Sequence, residues 1–257
     1  MGDTKGVVLP GEVVLEDCEG FMCGSGVMKR GDQIVATVRG HVQQISKLVT
    51  VVPITSVYTP HVGDIIVGRV ESVEHQRWKI QIGCSVLASL KLQAVYLPDG
   101  EMRRRTTSDE RNMRKYFDIG DLVCAEVQGT EGRSSISLHT RQQHPKKLDR
   151  GIAIEVPSHT IKRSPSHIVV LEVGNPAAKF NAIFGMNGTI WLAPDPDTAD
   201  ISLPLMPRIR SCIILMATHN QMIASDTLCD VFDKTLGIDP DEICSHDTAV
   251  LLGFVSK

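Results

Sequence analysis

The feature that most constrains this chain is a strand opening that occurs twice in its middle third. Gly63-Asp64 and Gly120-Asp121 each precede a run in which successive side chains alternate between two faces, the pattern of a half-buried β-strand. Further strand-like runs lie at residues 77–82, 86–90 and 135–139. Short strands separated by turn residues at this spacing predict a small closed barrel between residues 61 and 143.

The alternation also assigns side chains to the two faces of the barrel. Trp78 shares a face with Ile80 and Ile82, so we expect it to pack in the core rather than to stack on a nucleic-acid base. Base stacking by Trp78 stays the alternative. Arg77 and Lys79 occupy the opposite face and are expected to point into solvent.

A polar insertion separates the third and fourth strands of the predicted barrel. Thr107 and Glu110 have the spacing of a helix capping box, and Met113 and Phe117 are one helical turn apart, so the insertion predicts a short helix. Three consecutive arginines precede this helix, and they form the densest cationic cluster of the chain.

The flanking regions differ from the barrel. The first sixty residues predict a small β-domain, with strands near residues 34–38 and 48–52 and a boundary after Pro60. From about residue 144 the pattern is mixed, with strands near residues 152–156 and 180–184 and another at Trp191.

Helices are expected toward the carboxyl end. The prolines between residues 194 and 207 predict a loop, and a helical stripe covers residues 209–217. Residues 228–236 predict a second helix that ends at Gly237, and Asp239-Pro240 predicts the start of a third.

Composition excludes several classes of protein. No run of the 257 residues reaches the roughly 18 to 20 consecutive apolar residues of a spanning helix, and the first residues lack a secretory signal, so we expect an intracellular protein. The seven cysteines are scattered without a C-x-x-C spacing, which indicates neither a disulfide framework nor a zinc site. Residues 61–150 hold 15 Lys and Arg against 12 Asp and Glu, whereas residues 195–257 hold 4 against 10. A polyanion would therefore prefer the middle of the chain.

Four segments of the middle third carry a family resemblance. Residues 63–70, 77–80, 120–123 and 137–141 together resemble an S1-type OB-fold. This resemblance and the patterns above give the expected fold class, which is mainly β with α/β. The expected domains are an N-terminal β-domain (1–60), an S1-type OB-fold barrel (61–143) and a KH-like α/β domain with C-terminal helices (144–257).

The resemblance extends to a narrower family. Residues 97–105 resemble ribosomal-RNA-processing protein 4, a cap subunit of the RNA exosome, and residues 7–11 and 185–191 resemble the amino-terminal and KH-like segments of that family. The resemblance implies a non-catalytic subunit without a cofactor, located in the nucleus, nucleolus and cytoplasm. Its implied partners are RNA, a ring of RNase PH-like subunits and the other S1/KH cap subunits, with no membrane. Such a subunit stabilises the ring and guides RNA into it for 3'–5' processing and degradation.

Two groups of residues are candidate RNA contacts. A groove on an OB barrel binds single strands through cations that follow the phosphates. The first group is therefore cationic and contains Arg69, Arg77, Lys79, Arg103, Arg104 and Arg105. The three consecutive arginines could instead pair with carboxylates of a neighbouring subunit.

The second group is the sequence Gly185-Met186-Asn187-Gly188. It fits the GXXG loop with which KH domains clamp the nucleic-acid backbone. The alternative is a structural hairpin, because Asn-Gly is a favoured type I′ turn pair and this pair lies between two predicted strands.

Other functions stay open as alternatives. The chain could be a free ribosome-associated or translational S1-type factor, or a hydrolase whose site has no recognisable motif. No nucleophile elbow, phosphate-binding loop or H-E-x-x-H sequence is present, and Asp195, Asp197 and Asp200 are interpreted as part of a proline-broken acidic loop rather than a metal site.

Overall fold

The computed structural model describes residues 7–54, 57–96, 106–131, 135–140, 147–174 and 177–254. The chain divides into two compact units, Met1–Ser56 and Val57–Lys257. These units meet between residues 56 and 57, and Tyr58 packs in the core of the barrel. The domain boundary expected after Pro60 stays a prediction. The boundary expected near residue 143 falls outside the described residues.

The first unit consists of short strands. Its described strands are β1 (Val7–Val8), β2 (Val13–Leu15), β3 (Met22–Cys23), β4 (Val27–Arg30), β5 (Gln33–Ala36), β6 (Gly40–Ile45) and β7 (Leu48–Pro53). They form one sheet in the order β1-β6-β7-β3 and another in the order β2-β5-β4. Ile34 of one sheet and Val51 of the other are fully buried in one shared core. The expected N-terminal β-structure is confirmed.

The second unit begins with a closed barrel. Its strands are β8 (Ile65–Glu74), β9 (Arg77–Gln81), β10 (Ala88–Lys91), β11 (Leu122–Glu131) and β12 (Ser135–His139). The order around the barrel is β10-β12-β11-β8-β9. The barrel predicted from the alternating runs is confirmed, with β10 shifted slightly from the expected 86–90.

Trp78 lies inside the barrel and is fully buried. Its Nε1 donates a hydrogen bond of 2.9 Å to the carbonyl oxygen of Phe117, and the two rings meet edge to face at 5.3 Å. Both the apolar ring and its polar N–H are therefore satisfied within the core. The expected core position is confirmed, and stacking of Trp78 on RNA is ruled out by its burial.

The insertion between β10 and β11 contains α1 (Thr107–Arg111) and α2 (Met113–Tyr116). The capping box is displaced by one residue from the prediction: Thr106 is the N-cap, and its amide and hydroxyl both donate to Asp109 Oδ2 at 2.9 Å. Thr106 adopts the extended backbone that an N-cap requires, whereas Thr107 is already helical. Met113 and Phe117 are buried in the barrel core.

The rest of the second unit is an α/β domain. It contains β13 (Ile152–Glu155), β14 (Ile168–Val173), β15 (Ala178–Phe184), β16 (Thr189–Pro194), α3 (Ala199–Thr218), α4 (Ser225–Lys234) and α5 (His246–Leu251). The sheet order is β13-β16-β15-β14, and α3 and α4 pack on it around Phe180 and Phe232. Strand β14 was not predicted, because Ile168–Leu171 is continuously apolar and shows no alternation.

Helix α3 corrects the expectation of a loop between residues 194 and 207. Pro204 and Pro207 lie inside the helix, although an interior proline costs about 3 kcal/mol. The start of α3 is fixed by tertiary contacts: Ser202 Oγ donates to the Lys179 carbonyl at 3.1 Å, and Thr198 Oγ1 accepts from the Lys179 amide at 3.2 Å. These contacts and the burial of the later turns, including Ile209, stabilise the helix despite the prolines.

The helix has a second notable property. Residues Pro196–Thr218 are long and apolar enough to cross a bilayer by length and composition, with a mean hydropathy of 1.3. The side chains of Ile209, Cys212, Ile213, Leu215 and Met216 are nevertheless buried in the core of the α/β domain. Packing on the sheet thus accounts for the apolar side chains of the later turns, whereas Ile201 and Leu203 near the start of α3 are exposed.

The last predicted helix is displaced. Residues 240–244 form turns rather than a helix begun at Pro240, and α5 begins after Ser245, whose Oγ accepts from the Thr248 amide at 3.3 Å. A serine with an extended backbone provides the cap that a helix start needs.

Candidate nucleic-acid interface

The outer face of β8, β9 and β10 carries cationic side chains. Arg69 lies opposite Gln81, and Lys79 lies opposite Ser72 on one side and Ser89 on the other. The Arg69 guanidinium donates to the Gly120 carbonyl oxygen at 2.9 Å. The described residues provide no ion-pair partner for Arg69 or Lys79, so both charges are available to an external anion.

Arg77 lies further along the same face but is partly neutralised. Its Nε is 3.8 Å from Glu74 Oε2 directly across the strand pair, and both side chains are about half exposed. An exposed pair of this kind is weak and screened by salt. Arg77 is therefore a weaker candidate contact than Lys79.

Lys91 is a candidate that sequence reasoning missed. It pairs directly with Arg77 in the β9–β10 register, it is exposed, and no acidic partner lies beside it among the described residues. Like charges placed directly across two strands destabilise a sheet slightly unless an anion lies between them. The sequence contained one indication of this position: Lys91 is two residues from Ser89, so both lie on the same face of β10. This indicates a position on the cationic face only once the pairing of β10 with β9 is known.

The face has no aromatic side chain in its three described strands, since Trp78 points inward. Its chemistry is therefore ionic and polar, which binds phosphates without reading bases. Arg103, Arg104 and Arg105 lie outside the described residues, and their role as RNA contacts stays a prediction.

The GXXG sequence forms the turn between β15 and β16 and packs against β8 of the barrel. The Met186 amide donates to the Ile65 carbonyl at 2.8 Å. The side chain of Asn187 bonds both polar groups of Val67, accepting from its amide at 3.2 Å and donating to its carbonyl at 2.8 Å. Asn187 is 8% exposed, so the loop is an internal junction of the second unit.

The backbone of this turn forms a hairpin, but not with the expected type I′ geometry. The Gly188 amide donates to Gly185 at 2.9 Å and the Gly185 amide to Thr189 at 3.0 Å, so these donors are already used and cannot clamp a phosphate. Gly188 has φ 91°, but Asn187 does not have a positive φ, so the type I′ turn does not form. The geometry favours a structural hairpin over the predicted RNA contact at Gly185, Met186, Asn187 and Gly188.

Glycine is required at both ends of the turn by close packing. A Cβ at Gly185 would lie 2.5 Å from Asn187 Oδ1 and 3.0 Å from the Val67 nitrogen, and a Cβ at Gly188 would lie 2.3 Å from the Val156 carbonyl oxygen. The two glycines therefore allow the approach of the turn to its neighbours rather than to a nucleic acid.

A buried carboxylate makes a second link between the barrel and the α/β domain. The Asp64 side chain is 3% exposed, and its Oδ2 accepts from the Tyr58 hydroxyl at 2.8 Å and the His61 amide at 3.0 Å. Its Oδ1 accepts from the Arg163 guanidinium at 2.7 Å. Burial, together with the bond to Asp64, holds the pKa of Tyr58 above its usual value, so this hydroxyl remains a donor.

An apolar seam completes the junction. Val67 and Cys124 on the outside of the barrel pack against Ile183 and Trp191 of the sheet, and Leu148 joins them. Burial raises the pKa of the Cys124 thiol to about 12, so it is an inert packing group. One side of the barrel is thus covered by its neighbour domain, while the cationic face of β9 and β10 remains exposed.

The described residues contain no group of three or more His, Cys, Asp or Glu side chains that could hold a metal ion. Of the three aspartates predicted to lie in an acidic loop, Asp195 accepts from the Asp197 amide at 3.0 Å, and Asp200 lies in the first turn of α3. Asp195 therefore caps a turn, which accounts for it without a metal.

A closed five-stranded barrel with an exposed cationic face, joined to an α/β domain, defines an S1-type OB-fold protein. A family model described as "RRP4, S1 domain" matches residues 57–129. The chain is 32% identical over 270 residues to the exosome complex component RRP4 homolog of Caenorhabditis elegans, covering 98% of this chain and 87% of that protein. It therefore belongs to the exosome complex component RRP4 family.

Two further relatives belong to the same family. Exosome complex component RRP4 of Mus musculus is 32% identical over 90% of this chain and 82% of its own length. Exosome complex component rrp4 of Schizosaccharomyces pombe is 38% identical over 74% of this chain and 56% of its own length. The resemblance stated from the sequence is confirmed.

Proposed function

We propose that this chain is a non-catalytic, RNA-binding cap subunit of an RNA exosome, and that it holds RNA through the outer face of β8, β9 and β10. The observation that carries the RNA-binding assignment is the set of Arg69, Lys79 and Lys91, which lie on one exposed face of the barrel without carboxylate partners among the described residues. Membership of an exosome is supported by the family.

The geometry supports weak, sequence-independent binding. Cations that follow phosphates provide affinity that depends strongly on salt, whereas specificity needs base contacts or stacking. The three strands offer cations that can follow phosphates. Because Trp78 is buried, they lack an aromatic platform on which bases could stack. Such a surface suits a subunit through which many different RNAs must pass.

The assembly supplies the rest of the proposed function. The chain would contact a ring of RNase PH-like subunits and the other S1/KH cap subunits, stabilise the ring, and direct RNA toward 3'–5' processing and degradation carried out elsewhere in the complex. We propose a location in the nucleus, nucleolus and cytoplasm, where such processing and turnover occur.

Replacement of both lysines tests the RNA-binding face. We expect the Lys79→Gln, Lys91→Gln double variant to bind single-stranded RNA more weakly for every sequence, because two phosphate contacts are lost. The slope of log affinity against log salt should flatten by about 0.7 per lost contact. The measurement is fluorescence anisotropy with poly(U) and a mixed-sequence RNA across a salt series.

Arg210→Gln is the matched control, because Arg210 is an exposed cation on α3, outside the barrel. Its affinity and salt slope should equal those of the unmodified chain. An unchanged slope in the double variant, or an equal change in the control, would remove the assignment of RNA binding to this face.

Affinity purification of the tagged chain from its own cells tests the assembly. We expect RNase PH-like subunits to copurify in a complex of several hundred kilodaltons. Recovery of the chain as a monomer or with ribosomes alone would contradict the exosome assignment and favour a free S1-type factor.

A further inference from the structure

The connection between β13 and β14 presents a serine with unusual surroundings. Residues 162–166, with the sequence Lys-Arg-Ser-Pro-Ser, are five consecutive exposed residues, and the described residues include no hydrogen bond from the Ser164 hydroxyl. Ser166 differs, because its Oγ already donates to the Ile168 carbonyl at 2.8 Å. Ser164-Pro165 is the one Ser-Pro pair of the chain, and Thr59-Pro60 is its one Thr-Pro pair.

A residue before proline is biased toward an extended backbone, and proline at the next position offers no N–H. These are the features that proline-directed protein kinases recognise in a substrate. Ser164 is the better of the two candidates, because it lies in a run of five exposed residues, whereas the exposed Thr59 lies between the buried Tyr58 and the half-buried Pro60.

A cavity beside Ser164 offers partners for a phosphate. It is lined by Lys162, Ser164, His167 and the residues that begin α4. Arg163 also lines the cavity but is already paired with Asp64, whereas the described residues contain no carboxylate partner for Lys162. Lys162 is therefore the available cation.

The buried histidine is an independent indication of an anion at this place. His167 is 7% exposed, and its Nε2 accepts from the Ser164 amide at 3.4 Å, which leaves the proton of a neutral ring on Nδ1. Nδ1 is buried and makes no hydrogen bond of ordinary geometry with the described residues, although the backbone of Phe184 lies near the ring. Phosphate oxygens are acceptors, so a phosphate within reach of the ring would satisfy this donor.

The start of α4 adds donors on the opposite wall. Its N-cap is Ala224, which has no side-chain oxygen, and no side-chain cap is formed there. The first-turn amides of a helix favour negative charge. Asp226 also lines the cavity and opposes an anion, although its Oδ1 is engaged by the Ser225 hydroxyl at 3.3 Å.

We propose that Ser164 is a site of reversible phosphorylation by a proline-directed kinase, and that the phosphate is bound in place by Lys162, His167 and the start of α4. The terminal phosphoryl group of ATP would be transferred to Ser164 Oγ. The bond from that phosphorus to the bridging oxygen of ADP breaks, and the hydroxyl proton passes to the base of the kinase. The phosphoserine then ties the β13–β14 connection to α4 through charge-assisted hydrogen bonds.

Phosphorylation of the folded full-length chain by a cyclin-dependent kinase and ATP tests the site. Mass spectrometry should place the phosphate on Ser164, and Ser164→Ala should lose most of the incorporation while the matched Thr59→Ala control keeps it. Phosphate on Ser166 instead, or incorporation only after unfolding, would overturn the assignment.

A second measurement tests how the phosphate is held. A chain with phosphoserine installed at position 164 should melt about 2 to 4 °C higher than the unmodified chain when tryptophan fluorescence is followed. Lys162→Gln should remove much of this rise, whereas Lys234→Gln, an exposed lysine at the other end of α4, should leave it unchanged. An unchanged melting temperature on phosphorylation, or equal effects of the two lysine variants, would show that the cavity does not bind the phosphate.

Discussion

The two Gly-Asp turns of the barrel share a sequence and a backbone but differ in their surroundings. Gly63 and Gly120 both have φ 92°, and each precedes a long strand of the barrel. Asp64 is nearly inaccessible and receives hydrogen bonds from three residues, including Arg163 of the neighbouring domain. Asp121 is 22% exposed on its side chain and pairs with Lys147 at 2.7 Å.

The difference shows how a local turn acquires a tertiary role. Asp121 accepts from the Asp118 amide at 2.8 Å within its own turn, as Asp64 accepts from the His61 amide at 3.0 Å. Both turns bond residues that follow the barrel, but at different places. Asp64 bonds Arg163, which follows β13, and the neighbouring β8 strand bonds Asn187 through Val67. Asp121 bonds Lys147, which precedes β13. The same dipeptide therefore forms a partly exposed ion pair in one place and part of a buried domain junction in the other.

Replacement of Asp64 and of Asp121 by alanine should give the largest difference in stability between the two turns. We expect Asp64→Ala to lower the free energy of unfolding of the second unit by about 2 to 3 kcal/mol, because buried donors lose their acceptor. Asp121→Ala should cost about 1 kcal/mol or less, since its ion pair is partly solvated. Both tryptophans lie in the second unit, so urea unfolding followed by their fluorescence reports on it alone. Equal losses would contradict the distinction between the two turns.

Asn187 lies on the α/β side of the same junction, and its replacement tests how much the junction stabilises the fold. Asn187→Ala should cost about 1 to 3 kcal/mol, because the amide and carbonyl of Val67 lose their buried partner. Asn181→Ala, at a half-buried position on β15 outside the junction, is the control and should cost less. If RNA affinity fell while stability did not, the predicted RNA contact of the GXXG sequence would be supported instead.

The smallest expected effect is the pH dependence of the stability that the Asp121 turn contributes. Burial disfavours ionisation of Asp121, but the hydrogen bonds from Lys147 and from the Asp118 amide outweigh it, so the pKa of Asp121 lies below 3.8. A carboxyl whose folded pKa is depressed stabilises the fold above its unfolded pKa and loses that contribution as the pH falls through the folded value.

The stabilising effect of Lys147 should therefore be constant between about pH 5 and pH 9, and it should decrease as the pH falls below 3.8 toward the lower folded pKa of Asp121. Comparison of unfolding midpoints of Lys147→Gln and the unmodified chain across this range measures it. A difference that does not decrease as the pH falls below 3.8 would show that Lys147 stabilises the turn by packing rather than by its charge.

Much of the architecture follows from local patterns. Alternation placed Trp78 in the barrel core and Lys79 on the outside, because the two-residue period of a strand fixes the face of each side chain whatever its neighbours are. The capping box was displaced by only one residue, since Thr106 and Thr107 both offer the required hydroxyl. Family membership also followed from the sequence.

The tertiary structure decided what the local patterns left open. Pro204 and Pro207 read as loop residues, yet they lie in α3, because contacts to Lys179 and burial of the later turns outweigh their cost. Lys91 joined the cationic face only through the register of β10 with β9. The sequence by itself determined the strands of the barrel, its turn glycines and its inner face, since these depend on interactions between residues close in the chain. Which aspartate became a junction, and whether Asn187 faced RNA or protein, depended on residues roughly one hundred positions apart, such as Asp64 and Arg163, whose proximity arises only when the domains pack.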